Sequence, residues 1–222
     1  MRRLFLAGAI AAAACAPAFA ADPAASADAM PYDWSGFYLG VQAGGSWGEV
    51  EHRIPDFEQV FGPAPDGDIS GWLVGGYAGY YWQMDRIVLG AELGANWRDV
   101  DGTTTLQGQM TRTTEQKWDA SLVGKVGLPV DNMLFYGLAG VSVTEVESWT
   151  NVGIGIPTNA SDIVWGWTVG AGAEMAFSDH LRGRLEYRFA DYGEADVQCS
   201  TCGPTFVEPR THTVAVGLSY NW

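Results

Sequence analysis

Cys199 and Cys202 enclose two residues in Cys-Ser-Thr-Cys, a spacing that serves a disulfide, a redox couple or half of a zinc site. Redox catalysis needs the first cysteine at a helix start beside a strand-helix unit, and the flanking sequence offers no such unit. Zinc needs two further ligands, and the three histidines, His52, His180 and His212, lie elsewhere in the chain. In an exported protein the expected state of the pair is a small disulfide. The other residues with chemical potential are Arg182, Arg184, Glu186 and Arg188, charged groups two residues apart. On a strand they share one face, too close for three cations unless carboxylates from other strands interleave.

What must position these groups follows from composition and period. The 222 residues are 47% hydrophobic and 17% charged, with 29 glycines, a strand and turn composition. The net charge of −14, with Lys117 and Lys125 as the lysines, repels phosphate backbones and excludes nucleic acid as a partner. Residues 1–20 open with Arg2 and Arg3, run apolar from Leu4 to Ala14 and close on Ala18-Phe19-Ala20, which reads as a cleaved secretory signal. The competing lipoprotein reading, with Cys15 as first residue, has Ala12 where a larger aliphatic is usual. Residues 21–33 are then a periplasmic segment and residues 34–222 the folded domain. The longest uncharged stretch after the leader, Ile69 to Met84, is short of a spanning helix and is broken by glycines.

From Phe37 onward every second residue is apolar or small: Phe37, Leu39, Val41, Ala43, Gly45, Trp47. The same period of two runs through Trp72 to Trp82, Ile87 to Trp97, Trp118 to Leu128, Phe135 to Val143, Trp167 to Phe177, Gly183 to Phe189 and Val214 to Trp222, with no charge on that register. Five of these segments have bulky ends ten residues apart. At ~3.3 Å per residue and a tilt of ~40° that is about 25 Å of height, the lipid-facing band of an outer-membrane barrel. Aromatics favour the bilayer interfaces because ring and polar tip want different media. Trp47, Trp72, Trp97, Trp118 and Trp167 are expected in an outer girdle, and Phe37, Trp82, Phe135, Phe177, Tyr220 and Trp222 in an inner one.

Links alternate between short turns (Met84 to Arg86, Pro129 to Asn132, Ser178 to His180) and long loops near residues 50–68, 99–113, 146–163 and 191–209. The expected fold is therefore all-β: an eight-stranded antiparallel up-and-down transmembrane β-barrel with both termini periplasmic. The inward register carries Glu92, Asp119, Glu174 and Glu186 against Lys125, Arg182, Arg184 and Arg188, a neutral set. Eight strands leave an interior just wide enough for side chains, and inward glycines such as Gly40, Gly79, Gly90 and Gly172 leave room for Tyr77, Tyr81 and Tyr136. An ion-pair network plugging the lumen is favoured over an anion or proton path. The acidity lies outside, as in the first loop, with Glu49, Glu51, Asp56, Glu58, Asp66 and Asp68 against Arg53. No metal loop is spelled out there, and no cofactor is implied.

The segments YDWSGFYLGVQAGGSWG (32–48), GWTVGAGAEMAFSDHLRGRLEYRFADYG (166–193) and HTVAVGLSYNW (212–222) resemble the small outer-membrane surface-antigen, or porin-like, barrels of Gram-negative bacteria, which group with OmpA-like and opacity-type barrels. The resemblance covers essentially the whole mature chain. It implies a role in envelope integrity and surface contacts, with lipid and lipopolysaccharide around the barrel, a host or envelope partner at the loops, and Trp222 as the terminal aromatic read by the barrel-assembly machinery. Ala215 stands where such barrels carry an arginine or lysine in the final strand, and no peptidoglycan-binding domain follows Trp222. A narrow passive pore is the alternative. A lipid-modifying enzyme is a third reading, since some such barrels are hydrolases with a membrane-facing His, Ser and acid. His212 has that register, but no serine occupies an outward position of these strands.

Overall fold

A computed structural model describes residues 32–53, 67–106, 110–152, 158–193, 195–199 and 203–222. The signal sequence, most of the 21–33 segment and Cys202 lie outside the described residues. Nine strands are present: β1 (Gly36–Arg53), β2 (Gly67–Met84), β3 (Ile87–Leu106), β4 (Met110–Val130), β5 (Met133–Val152), β6 (Thr158–Ala176), β7 (Leu181–Tyr192), β8 (Ala195–Cys199) and β9 (Gly203–Asn221). Eight of them pair antiparallel with their neighbours, and β1 pairs with β9 from Tyr38↔Asn221 onward, which closes the sheet into an eight-stranded barrel. Closure leaves no exposed edge around the membrane band, the one way a sheet satisfies its backbone in hydrocarbon.

Both described ends of the chain sit on one rim, here the terminal rim, together with all three short turns. Asp85 and Asp131 adopt left-handed φ values of 53° and 52° in two of these turns, a conformation that Asp tolerates through its short polar side chain. Gly36 has φ of 132°, and a Cβ there would meet the Trp222 carbonyl oxygen at 2.7 Å. The chain therefore enters β1 beside its own last residue only with glycine in that place.

The period of two holds through the described lipid-facing segments, and a bulge in β4 resets the inward register from Gln116 to Asp119. Residues on the expected outward register are exposed or half-buried, and the register least marked in the sequence, Phe135 to Val143, also points outward. The strands differ from expectation on the far side, the distal rim. The 99–113 and 146–163 stretches expected as loops are mostly strand, because β3, β4, β5 and β6 continue to pair beyond the distal tryptophans. Likewise β8 occupies part of the expected 191–209 loop and pairs with β9 from Ala195↔Val207 to Cys199↔Gly203. Above the lipid band a strand needs only backbone partners, so the hydrophobic alternation that marks it in the sequence lapses while the ladder continues.

Inside, apolar clusters cap a polar middle. Toward the terminal rim lie Trp34, Tyr38, Tyr77, Tyr81, Val88, Leu134 and Tyr136, and toward the distal rim Ile69, Val100, Val146, Val164, Ala190 and Tyr192.

Candidate functional site

The inward faces of β3, β4, β6 and β7 bring seven of the eight expected lumen charges into two linked groups. In the larger, Glu92 is the hub: its Oε2 accepts from Lys125 Nζ at 2.6 Å, Arg184 Nη1 at 2.7 Å and the Tyr38 hydroxyl at 2.9 Å. Glu186 receives Arg188 Nη2 at 2.6 Å and the Tyr136 hydroxyl at 2.7 Å, with Lys125 at 3.4 Å. Glu174 accepts from the Tyr81 hydroxyl at 2.8 Å and faces Lys125 at 3.9 Å. Three carboxylates and three cations make this group neutral, as a low-dielectric interior requires. Carboxylates do interleave with the arginine run of β7, as Glu92 reaches both Arg184 and Arg188.

The second group is Asp119 with Arg98, an ion pair buried on both sides. Arg98 is a ninth inward charge that the expected set omits, and with it the described lumen residues count five cations against four carboxylates. Arg184 Nη2 donates to Gln42 Oε1 at 2.5 Å, Gln42 Nε2 to Asn96 Oδ1 at 2.5 Å and Asn96 Nδ2 to Asp119 Oδ2 at 3.1 Å, so one hydrogen-bonded chain joins the two groups. Arg98 continues it through Ser46, whose hydroxyl lies 3.2 Å from that of Thr213.

Arg182 stands apart, with no ion pair among the described residues. Its Nε donates to the Tyr32 hydroxyl at 3.0 Å and its Nη2 to the Trp34 carbonyl at 3.2 Å, with the guanidinium 4.8 Å over the Trp34 ring. Tyr32 to Ser35 thus form a strap across the terminal mouth, tied to β2 by Trp34 N to Gln83 Oε1 at 2.8 Å. Trp34, fully buried, is a functional position absent from the expected set. Its even number, in step with inward Tyr38 and Gln42, is the signal that points to it.

Glycines make the space for these rings. A Cβ on Gly90 would lie 2.6 Å from the Tyr81 ring, and one on Gly172 would lie 2.5 Å from the Tyr136 hydroxyl oxygen. Lys125 Nζ in turn sits 4.5 Å above the Tyr136 ring, and the Arg184 guanidinium 3.3 Å above that of Tyr77.

Outside, the residues expected in the two girdles take the two rims. Phe37, Trp82, Phe135, Phe177, Tyr220 and Trp222 are exposed near the terminal rim, and Trp47, Trp72, Trp97 and Trp167 near the distal one, where Trp165 joins them. Trp118 is half-buried and donates its indole N–H to Glu145 Oε2 at 2.8 Å, as Trp72 does to Asp99 Oδ2 at 3.2 Å. These bonds hold the polar edge of each ring toward the carboxylates beyond the band.

The expected absence of an outward serine needs correction. Because β2 begins at Gly67, Ser70 also faces outward, and Trp47 pairs with Ser70 on one side and His212 on the other. Two strand spacings, roughly 10 Å, separate the Ser70 and His212 backbones, with the indole between. His212 Nδ1 is instead 2.8 Å from the Tyr187 hydroxyl, and its ring stacks on Trp47 at 5.9 Å. A nucleophile and base need hydrogen-bond reach, which this arrangement denies them. Of the two cysteines expected to form a disulfide, Cys199 ends β8 and Cys202 lies outside the described residues, as does the side chain of Cys199. Among the described residues no group of three His, Cys, Asp or Glu side chains is placed to hold a metal ion.

Residues 10–221 match the family described as outer membrane protein beta-barrel domain. The chain is 30% identical over 245 aligned residues, covering both chains in full, to the 31 kDa outer-membrane immunogenic protein of Brucella melitensis. It is 32% identical over 170 residues to the 22 kDa outer membrane protein of Rhizobium leguminosarum, covering 73% of this chain and 66% of that one. Among solved structures its fold is similar to the outer membrane protein OprG from Pseudomonas aeruginosa, with a TM-score of 0.52 at 13% identity over 85% of this chain and 97% of that one.

Proposed function

Since the chain belongs to the outer membrane protein beta-barrel domain family and resides in the outer membrane, we propose that it is a non-catalytic surface antigen: a closed barrel that contributes to envelope integrity and presents its distal side for contacts. The observation that carries this is the filled lumen. Eight charged side chains, in a group of six and the Arg98–Asp119 pair, and three tyrosines engage one another across the barrel with almost no exposure. A network of this kind excludes a continuous water path, and its hydrogen bonds tie β1, β2, β3, β4, β5, β6 and β7 across the interior. The immunogenic naming of the Brucella relative agrees with a surface role.

In this reading residues 1–20 are removed on export, the terminal rim faces the periplasm and the longer distal strands project outward. Outer-membrane lipid and lipopolysaccharide contact the girdled band, the assembly machinery reads the last strand with Trp222, and a host or envelope partner binds at the distal side. The test is conductance in planar bilayers together with antibody access in intact cells. An epitope inserted between β1 and β2 is expected to be labelled without permeabilisation, and the purified barrel to show no large stable steps. Stable steps in the nanosiemens range would replace this reading with the narrow pore.

A further inference from the structure

We propose that Arg182 and Trp34 hold a small monovalent anion, a halide or a carboxylate, beneath the strap at the terminal mouth of the barrel. The charge balance of the lumen points there first. The larger network is neutral and Arg98 is matched by Asp119, so among the described lumen residues the excess positive charge is that of Arg182. This guanidinium is fully buried. Three aromatic rings face it, Trp34 at 4.8 Å, Tyr32 at 5.3 Å and Tyr81 at 5.8 Å, and its two hydrogen bonds run to neutral oxygens. Ring faces and neutral acceptors lower the cost of burying a cation without cancelling its charge.

The nearby carboxylates are engaged elsewhere or exposed. Glu174, on the neighbouring strand, is turned to Tyr81 and Lys125. Asp33 caps the Ser35 N–H at 2.9 Å, and Asp33, Asp85, Asp131 and Asp179 on this rim are all exposed.

The donors point to the same ligand independently of charge. Arg182 Nη1 and Trp34 Nε1 are both buried with no protein acceptor, and they belong to groups in cation–π contact, the guanidinium 4.8 Å from the indole centroid. Buried donors without acceptors are rare and costly. An anion accepting from both would complete their hydrogen bonding and balance the charge of the described lumen residues. Because the strap covers the place and leaves Arg182 no exposure, the ligand must be small, and its binding would fasten the strap to the barrel.

The probe is bromide. Crystals of the folded full-length barrel grown in sodium bromide are expected to show an anomalous peak within about 3.5 Å of both nitrogens. The peak should vanish in Arg182→Gln. In Trp34→Phe, which keeps an aromatic face toward Arg182 and removes one donor, its occupancy should fall by half or more. In detergent solution, at constant ionic strength against sulfate, bromide should raise the melting temperature saturably in the native chain and without saturation in Arg182→Gln. Ordered water with no anomalous signal at this place overturns the proposal, as does an unchanged peak in Trp34→Phe, a variant that tests the site even where Arg182→Gln fails to fold. A response to bromide of equal size in the native chain and both variants is nonspecific and also overturns it.

Discussion

Replacing Lys125 by methionine tests the proposed internal brace most directly. Methionine keeps the length and packing of the stem and removes the charge. Lys125 Nζ lies 2.6 Å from Glu92, 3.4 Å from Glu186 and 3.9 Å from Glu174, each nearly inaccessible to solvent. Without it the neutral group of three carboxylates and three cations is left one negative charge in excess, with two arginines for three acids. Breaking a buried pair by removing one partner costs about 3–5 kcal/mol, so Lys125→Met should destabilise the barrel by ~4 kcal/mol, close to a thousandfold in the folding equilibrium. The companion change Glu92→Gln strands cations instead and should cost a similar amount. Joined in one chain the two changes restore neutrality, and their combined loss should fall short of the summed losses by about 2–3 kcal/mol, the coupling expected of directly paired groups. The assay is reversible urea unfolding in lipid or detergent, followed by tryptophan emission and by the gel shift between folded and boiled protein. A loss under ~1 kcal/mol for Lys125→Met, or additive losses in the double variant, would refute the brace.

Three further outcomes follow from the same geometry. Gly90→Ala places a Cβ 2.6 Å from the Tyr81 ring and should cost about 1–3 kcal/mol by overpacking, measured by the same unfolding; Tyr81→Ala in the same chain should relieve the clash. Leu122→Arg puts a cation on the exposed outer face near mid-height, paired with Leu93 and Val141, and should cost about 2–4 kcal/mol, whereas Trp97→Arg at the distal girdle should cost no more than about 1 kcal/mol; equal losses would count against hydrocarbon as the medium. Ser70→Ala and His212→Ala should leave the lipid A mass spectrum of expressing cells unchanged, since Trp47 separates the two residues, and a new or missing acyl chain would reopen the enzyme reading.

The outward half of the molecule is legible in sequence because hydrocarbon imposes the same rule at every position. A lipid-facing residue from Phe37 to Trp222 must be apolar, small or, at the rims, aromatic, whichever strand carries it. The inward half obeys a different constraint. That Arg184, Glu186 and Arg188 share a face follows from the period of two, and the need for interleaved carboxylates follows from Coulomb repulsion. Which carboxylates arrive at which height depends on the stagger around the closed sheet. Glu92 on β3 reaches Arg184 on β7 from across the barrel, at a sequence separation of 92 residues, and no local pattern specifies that meeting.

Arg98 and Trp34 show where the local rule gives out at each rim. Arg98 continues the inward series Glu92, Gly94, Asn96, yet it follows Trp97, the residue that marks the end of the lipid band. A strand judged by its apolar face stops at Trp97, while the strand defined by backbone pairing runs on to Leu106. Trp34 precedes the first paired residue, and an aromatic next to a membrane rim reads as an interfacial ring. Its burial goes with Arg182, whose planar guanidinium lies over the indole and offers donors to Tyr32 and the Trp34 carbonyl, and with Gln83, which accepts from the Trp34 N–H. The same residue that leaves the described lumen charges unbalanced thus guides the path of the chain into the barrel. The strap and the excess charge are one structural fact, and a change that neutralises Arg182 should release Trp34 to the rim.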